Sequence, residues 1–240
     1  MNKMILNLQN LYFNLRHIKS KTNRKICAVV KANAYGHGMQ EIVKALSNKV
    51  DFFACANLDE ALILRNIDKQ TPTLVLFDCQ NFDLAIENGL SVCIHTFDQI
   101  RLLTKKHKNL KVHVAFDAGM NRFGFGDFKS FKKAFNILEK KCTVEGVYTH
   151  FNTICSDVQT YREQIRQFEK IEQFAKHKNK NVISHTGGSH DIFNEIFDMI
   201  RIGLFLYGYG MEKLKPIMKI KAPVLQLNFL KNCKNIRKIT

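Results

Sequence analysis

The sequence has no tryptophan, only three prolines and only twelve glycines in 240 residues. That scarcity excludes a collagen-like repeat and a Pro/Gly-rich disordered chain. No stretch approaches the ~18–20 uninterrupted apolar residues of a membrane-spanning helix. The first sixteen residues mix Asn and Gln among Leu and Ile and offer no small-residue cleavage site. A cytoplasmic protein without membrane contact is expected. Seven cysteines (Cys27, Cys55, Cys79, Cys93, Cys142, Cys155 and Cys233) form no CxxC pair and no spaced Cys/His quartet. Neither a disulfide framework nor a metal site is therefore expected. Cys27, Cys55 and Cys93 lie inside apolar runs, where a thiol behaves as a small hydrophobe. Acidic residues are the minority, 21 Asp+Glu against 37 Lys+Arg, for a net charge of +16. The lysines run from Lys3 to Lys238 with no arginine-rich run and no basic–aromatic stripe. They read as solvated faces, and nucleic acid is not expected as a partner.

What is present is a recurring unit, a short apolar or β-branched run followed by a helical pattern. The spacing of Leu8, Leu11, Leu15 and Ile18 predicts an amphipathic helix over 6–18. Strands are then predicted over 26–32, 52–56, 73–77, 91–95, 112–116, 144–150, 181–184 and 201–207. Helices are predicted over 39–46, 59–66, 82–88, 97–106, 128–139 and 158–176, with a short one around 192–197. Eight such units in about 200 residues match a small (β/α)8 barrel, whose chemistry sits where strands end and loops begin. A doubly wound open sheet is the alternative, but no GxGxxG follows the first strand. The barrel is expected over residues 1–210. Residues 211–240 differ: Pro216 and Pro223 flank a strand-like stretch, and residues 224–230 alternate apolar and polar. They read as the incomplete start of a C-terminal β-domain.

The chemically informative segment is Ala28-Val29-Val30-Lys31-Ala32-Asn33-Ala34-Tyr35-Gly36-His37-Gly38. An apolar strand delivers Lys31 at its end, and a Gly-containing loop follows at once. A lysine held among apolar groups is disfavoured in its charged form, which suits it to a Schiff base with an aldehyde cofactor. The same residue also reads as a rim lysine whose stem covers the barrel mouth while its ammonium stays wet.

The longer string resembles the cofactor-lysine segment of the alanine racemase family, barrel enzymes that use pyridoxal 5′-phosphate. Further signposts follow in order: residues 116–124 (FDAGMNRFG), 148–151 (YTHF), 185–189 (HTGGS) and 201–208 (RIGLFLYG). The resemblance implies PLP-dependent interconversion of L- and D-alanine, a supply of peptidoglycan precursor, in a cytoplasmic homodimer. It implies that Lys31 carries the cofactor and serves as one of two acid/base groups at the substrate Cα. Tyr35, Ser189, Gly203 and Leu204 would hold the phosphate, Arg201 would face the pyridine nitrogen, and His150 would pack beside the ring. Arg122 would help hold the substrate carboxylate.

The sequence also departs from the family pattern. Ala115 stands where many members carry a lysine that can be carbamylated to buttress the arginine. Ala118, Gly188 and Ile202 replace the usual threonine, asparagine and proline. Residues 211–240 contain no tyrosine, whereas the family takes its opposite-face base from a C-terminal tyrosine of the partner subunit. Impaired racemisation is one expectation, and a non-catalytic PLP-carrier barrel is the other. A PLP-dependent decarboxylase shares the barrel and a similar lysine segment, but its Gly-rich phosphate run is not found.

Overall fold

Short apolar runs, too short and too β-branched to make stable helices alone, build the centre of the molecule. The structure is a computed structural model that describes residues 3–151, 158–188, 193 and 196–224. Eight parallel strands form a closed barrel in chain order: β2 (Lys25–Val29), β3 (Phe52–Asn57), β4 (Thr73–Asp78), β5 (Ser91–Ile94), β6 (Lys111–Ala115), β7 (Thr143–Tyr148), β8 (Ile183–Gly187) and β9 (Met199–Ile202). The last strand closes on the first with Ile26 opposite Ile200 and Cys27 opposite Arg201. Outside the barrel, β1 (Lys3–Leu6) pairs antiparallel with β10 (Met218–Lys221).

The period of two along each strand divides the side chains between two cores. Cys27, Val29, Ala54, Leu74, Cys93, Ala115 and Met199 pack inside the barrel. Their neighbours Ile26, Ala28, Val30 and Ile200 face the surrounding helices. Inward residues on β2 and β5 are small, which leaves room for a polar column in the barrel centre. The five described cysteines are buried free thiols. Burial pushes Cys27 and Cys93 up to about 12, so these thiols pack as hydrophobes. Side chains also set where helices begin: Asn7, Asn57, Asn81 and Asp127 each accept a backbone N–H of the first turn. Among the described residues no helix is long and apolar enough to cross a membrane.

Several boundaries differ from the sequence reading. The first barrel strand ends at Val29 rather than at residue 32, because the chain turns sharply at Lys31. The seventh extends to Gly187: His185-Thr186-Gly187 looks like loop, but His185 points into the barrel interior and all three residues are buried. The eighth is Met199–Ile202, and residues 203–208 instead coil through i→i+3 bonds, with Leu206 and Tyr207 fully buried. A strand precedes the N-terminal helix, which starts at Leu8. Of the short helix expected around 192–197, residues 192, 194 and 195 lie outside the described residues and 193, 196 and 197 are not helical; the alternating stretch beyond Val224 also lies outside the described residues.

Candidate active site

Just past β2 the backbone does something L-residues resist. Ala32, Asn33, Ala34 and Tyr35 have φ of 52, 51, 55 and 53°, a left-handed turn that costs about 1–2 kcal/mol per non-glycine residue. Contacts from three side chains hold it. Glu60 accepts the Ala32 N–H at 2.6 Å. His37 Nδ1 lies 3.0 and 3.1 Å from the carbonyls of Ala34 and Tyr35, so that nitrogen carries the ring proton. Asn33 Oδ1 accepts the Met39 N–H at 2.7 Å. The turn puts Lys31 and Tyr35 on the wall of a cavity of about 400 Å³ at the C-terminal mouth of the barrel.

Lys31 is half-buried, its Nζ 4.9 Å from the centroid of the Phe77 ring and 6.0 Å from that of Tyr35. Burial holds its ammonium below the usual lysine range; the charges of Arg122 and Arg201 add to this and Glu60 opposes it. Phe77 stacks on Phe123 at 5.2 Å, and the Arg122 guanidinium carbon lies 5.7 and 5.8 Å from those two rings. Two cations thus lie near one aromatic ring, a favourable arrangement for each charge singly. The loop carrying Arg122 is shaped by Asp117, whose carboxylate accepts the N–H groups of Gly119, Asn121 and Arg122.

Opposite, the ends of β8 and β9 bring bare backbone to the cavity. A Cβ on Gly203 would lie 2.6 Å from the Tyr35 hydroxyl oxygen, so only glycine lets the two approach. Leu204 follows on the exposed rim. Ser189 lies outside the described residues.

Arg201 is buried on β9 with its guanidinium carbon 4.8 Å from the Tyr148 ring centroid. Nη1 donates to His185 Nδ1 at 2.6 Å and Nη2 to the Thr149 carbonyl at 2.8 Å. Because guanidinium can only donate, His185 Nδ1 must be the bare nitrogen. Burial holds His185 well below the ordinary histidine range, so it is neutral and its proton sits on Nε2. That nitrogen donates to His113 Nδ1 at 2.7 Å, and His113 Nε2 donates to Glu145 at 3.0 Å. Burial raises the Glu145 carboxyl, but His113, Ser91 and Lys111 outweigh it and bring it down to about 2. A column of hydrogen bonds with one proton polarity therefore runs down the barrel axis to an ionised carboxylate. Gly146 makes room for it, since a Cβ there would lie 2.2 Å from His113 Nδ1. His150, on the cavity wall, is held at about 3 by burial and then by Arg201, Arg122 and Lys31.

Of the residues singled out from the sequence, Lys31, Tyr35, Arg122, His150, Arg201, Gly203 and Leu204 all line this one cavity. Tyr148, His113, Glu145, Phe77 and Glu60 were not singled out. Tyr148 and His185 stood inside quoted motifs without a role. Nothing local marks His113 or Glu145, whose meaning depends on barrel closure.

Comparison with known proteins agrees with the geometry. The family described as alanine racemase, N-terminal domain, matches residues 6–210. The alanine racemase of Francisella philomiragia is 32% identical over 251 residues, covering 95% of this chain and 67% of its own length. That of Borreliella burgdorferi is 34% identical, covering 99% and 68%. Among solved structures, alanine racemase of Clostridium difficile superposes with a TM-score of 0.81 at 27% identity, over 91% of this chain and 63% of that one. The Acinetobacter baumannii enzyme gives 0.81 at 29%, over 96% and 69%. The chain spans about two thirds of the length of these relatives. With a closed parallel barrel, a cavity at its C-terminal mouth and a match over residues 6–210, the chain belongs to the alanine racemase N-terminal domain family.

Proposed function

We propose that this chain holds pyridoxal 5′-phosphate through Lys31 at the barrel mouth and serves the interconversion of L- and D-alanine. The observation that carries the reading is the convergence of Lys31 and Arg201 on one cavity, with the lysine's charge disfavoured and the arginine locked as a donor. The residues fit a phosphorylated ring. Gly203 leaves space beside the Tyr35 hydroxyl that a side chain would fill, and backbone N–H groups at strand ends eight and nine suit an oxyanion.

When bound, the cofactor supplies an electrophilic carbonyl carbon and a conjugated ring that draws electron density from the substrate Cα. Lys31 would hold the cofactor through its amine, and the same amine would serve as a base for the substrate Cα proton. Its lowered basicity raises the neutral fraction at physiological pH. Tyr35, Gly203, Leu204 and Ser189 would hold the phosphate. Arg201 presents N–H donors and no transferable proton, so a pyridine nitrogen facing it stays an acceptor. Arg122 offers its planar fork to the substrate carboxylate. His150, neutral at physiological pH, packs beside the ring.

Inversion at Cα needs acid/base groups on both faces. Lys31 serves one, and residues 211–240 hold no tyrosine for the other. In this reading residues 1–210 carry the cofactor, and residues 211–240 open a β-rich unit that in a homodimer would complete the site. The reading predicts firm cofactor retention with slow racemisation by the 240-residue chain. Borohydride reduction after incubation with pyridoxal phosphate, followed by peptide mapping, should label Lys31; a chiral assay of alanine should show weak turnover. An unlabelled Lys31 peptide overturns the reading. Labelling with no turnover favours a PLP carrier.

A further inference from the structure

The strained turn after Lys31 needs an external tether, and one acidic residue is placed to supply it. Asn57 caps the helix Leu58–Ile67 by accepting the Glu60 N–H at 2.9 Å. In an Asn-x-x-Glu start, the glutamate ordinarily turns back to the cap residue's own N–H. Here it does not. Oε2 accepts the Ala56 N–H at 2.8 Å and Oε1 accepts the Ala32 N–H at 2.6 Å, 28 residues earlier in the chain. The ladder between β2 and β3 pairs Val29 with Ala54, and the Val30 N–H still reaches the Ala54 carbonyl at 2.8 Å. Glu60 takes over where that ladder runs out.

We infer that Glu60 is a positioning residue for the lysine loop, its carboxylate clipping the backbone just after Lys31 to the end of β3 and holding the left-handed turn. Both contacts are charge-assisted, the stronger kind of hydrogen bond. They oppose the tendency of Ala32, Asn33, Ala34 and Tyr35 to leave positive φ. The inference rests on the role proposed above for Lys31, and its test does not need the cofactor.

Glu60→Gln keeps the side-chain length but turns an NH2 group toward one of two backbone N–H donors. Hydrogen exchange of the peptide spanning residues 31–38 in the full chain should accelerate about tenfold, the size expected for losing one such bond. Ala32→Gly keeps the N–H and takes φ of 52° without steric penalty. Added to Glu60→Gln, it should restore most of the protection. Lys31, dimethylated with 13C-formaldehyde and followed by NMR, should titrate at lower pH in Glu60→Gln, because the negative charge opposing Arg122 and Arg201 is gone. Exchange at the unaltered rate in Glu60→Gln overturns the inference, as does a failure of Ala32→Gly to restore protection. Lack of borohydride labelling in the unaltered chain would instead strike the proposed function alone, while accelerated exchange would still support the clip.

Discussion

Two arginines face the same cavity and are held in opposite ways. Arg201 is buried, and its guanidinium is fixed by hydrogen bonds to His185 and Thr149 at the head of a polar column. Arg122 is exposed and rests against the rings of Phe77 and Phe123. A buried charge in directional bonds has one orientation, and removing it strands its partners. An exposed charge over aromatic faces keeps rotational freedom. The barrel axis is therefore the rigid side of the site, and the rim is the adaptable side, suited to a substrate that comes and goes.

Acid should separate the two regions most severely. Burial holds His95 at about 4 and His150 at about 3 in the folded chain. Both lie below the ordinary value of about 6.5, so the unfolded chain binds more protons and stability falls as pH drops below that value. Each histidine contributes about 1.4 kcal/mol per pH unit. Together they make a loss of about 5 kcal/mol by pH 4.5 the expected result. Glu145, ionised down to about 2, adds a further loss as pH falls from its ordinary range toward that value. Urea denaturation midpoints from pH 7 to 4 measure this; a flat profile would mean the imidazoles are not buried neutral.

Next in size, Arg201→Leu should cost about 3 kcal/mol by leaving the His185 and Thr149 acceptors unpaired. Chemical denaturation reads it, and a cost under 1 kcal/mol would deny the column its rigidity. Gly146→Ala should cost about 2 kcal/mol, because the new methyl must displace the His113 ring. It should lower the melting temperature without touching any residue of the cavity. Smallest, Arg122→Leu should change stability by no more than about 0.5 kcal/mol. On the role proposed for Arg122, its effect would fall instead on the Michaelis constant for alanine in an active assembly. A stability loss matching that of Arg201→Leu would erase the contrast.

Much of the barrel was legible because hydrophobic period is a local property. All eight strands and most helices lie near where their apolar runs predict, and the helix Met39–Leu46 has the predicted bounds. Misplaced ends share a cause. In residues 199–207 the apolar run continues past the strand into a turn whose Leu206 and Tyr207 are buried, and pattern cannot tell such a turn from a strand. At His185-Thr186-Gly187 the reverse holds, since the polar side chain of His185, satisfied inside the barrel, reads as loop. The candidate site was legible through its motif strings around Lys31, Arg122 and Arg201. Phe77 and Phe123 were not, because their meaning is the distance between two loops. The pairing of β1 with β10 joins segments more than two hundred residues apart, and only the folded chain brings them together.

The sequence by itself determined the alternation of strands and helices, and it placed a lysine among apolar residues where its charge is disfavoured. These follow from side-chain volume, polarity and spacing, which act over a few residues. Only the tertiary structure decided that His185 meets His113, that Glu60 abandons its own helix cap for the backbone beyond Lys31, and that Gly146 must stay bare. A hydrogen-bonding group commits to a partner once closure of the barrel has removed water and fixed which groups lie within 3 Å. No local pattern carries that information.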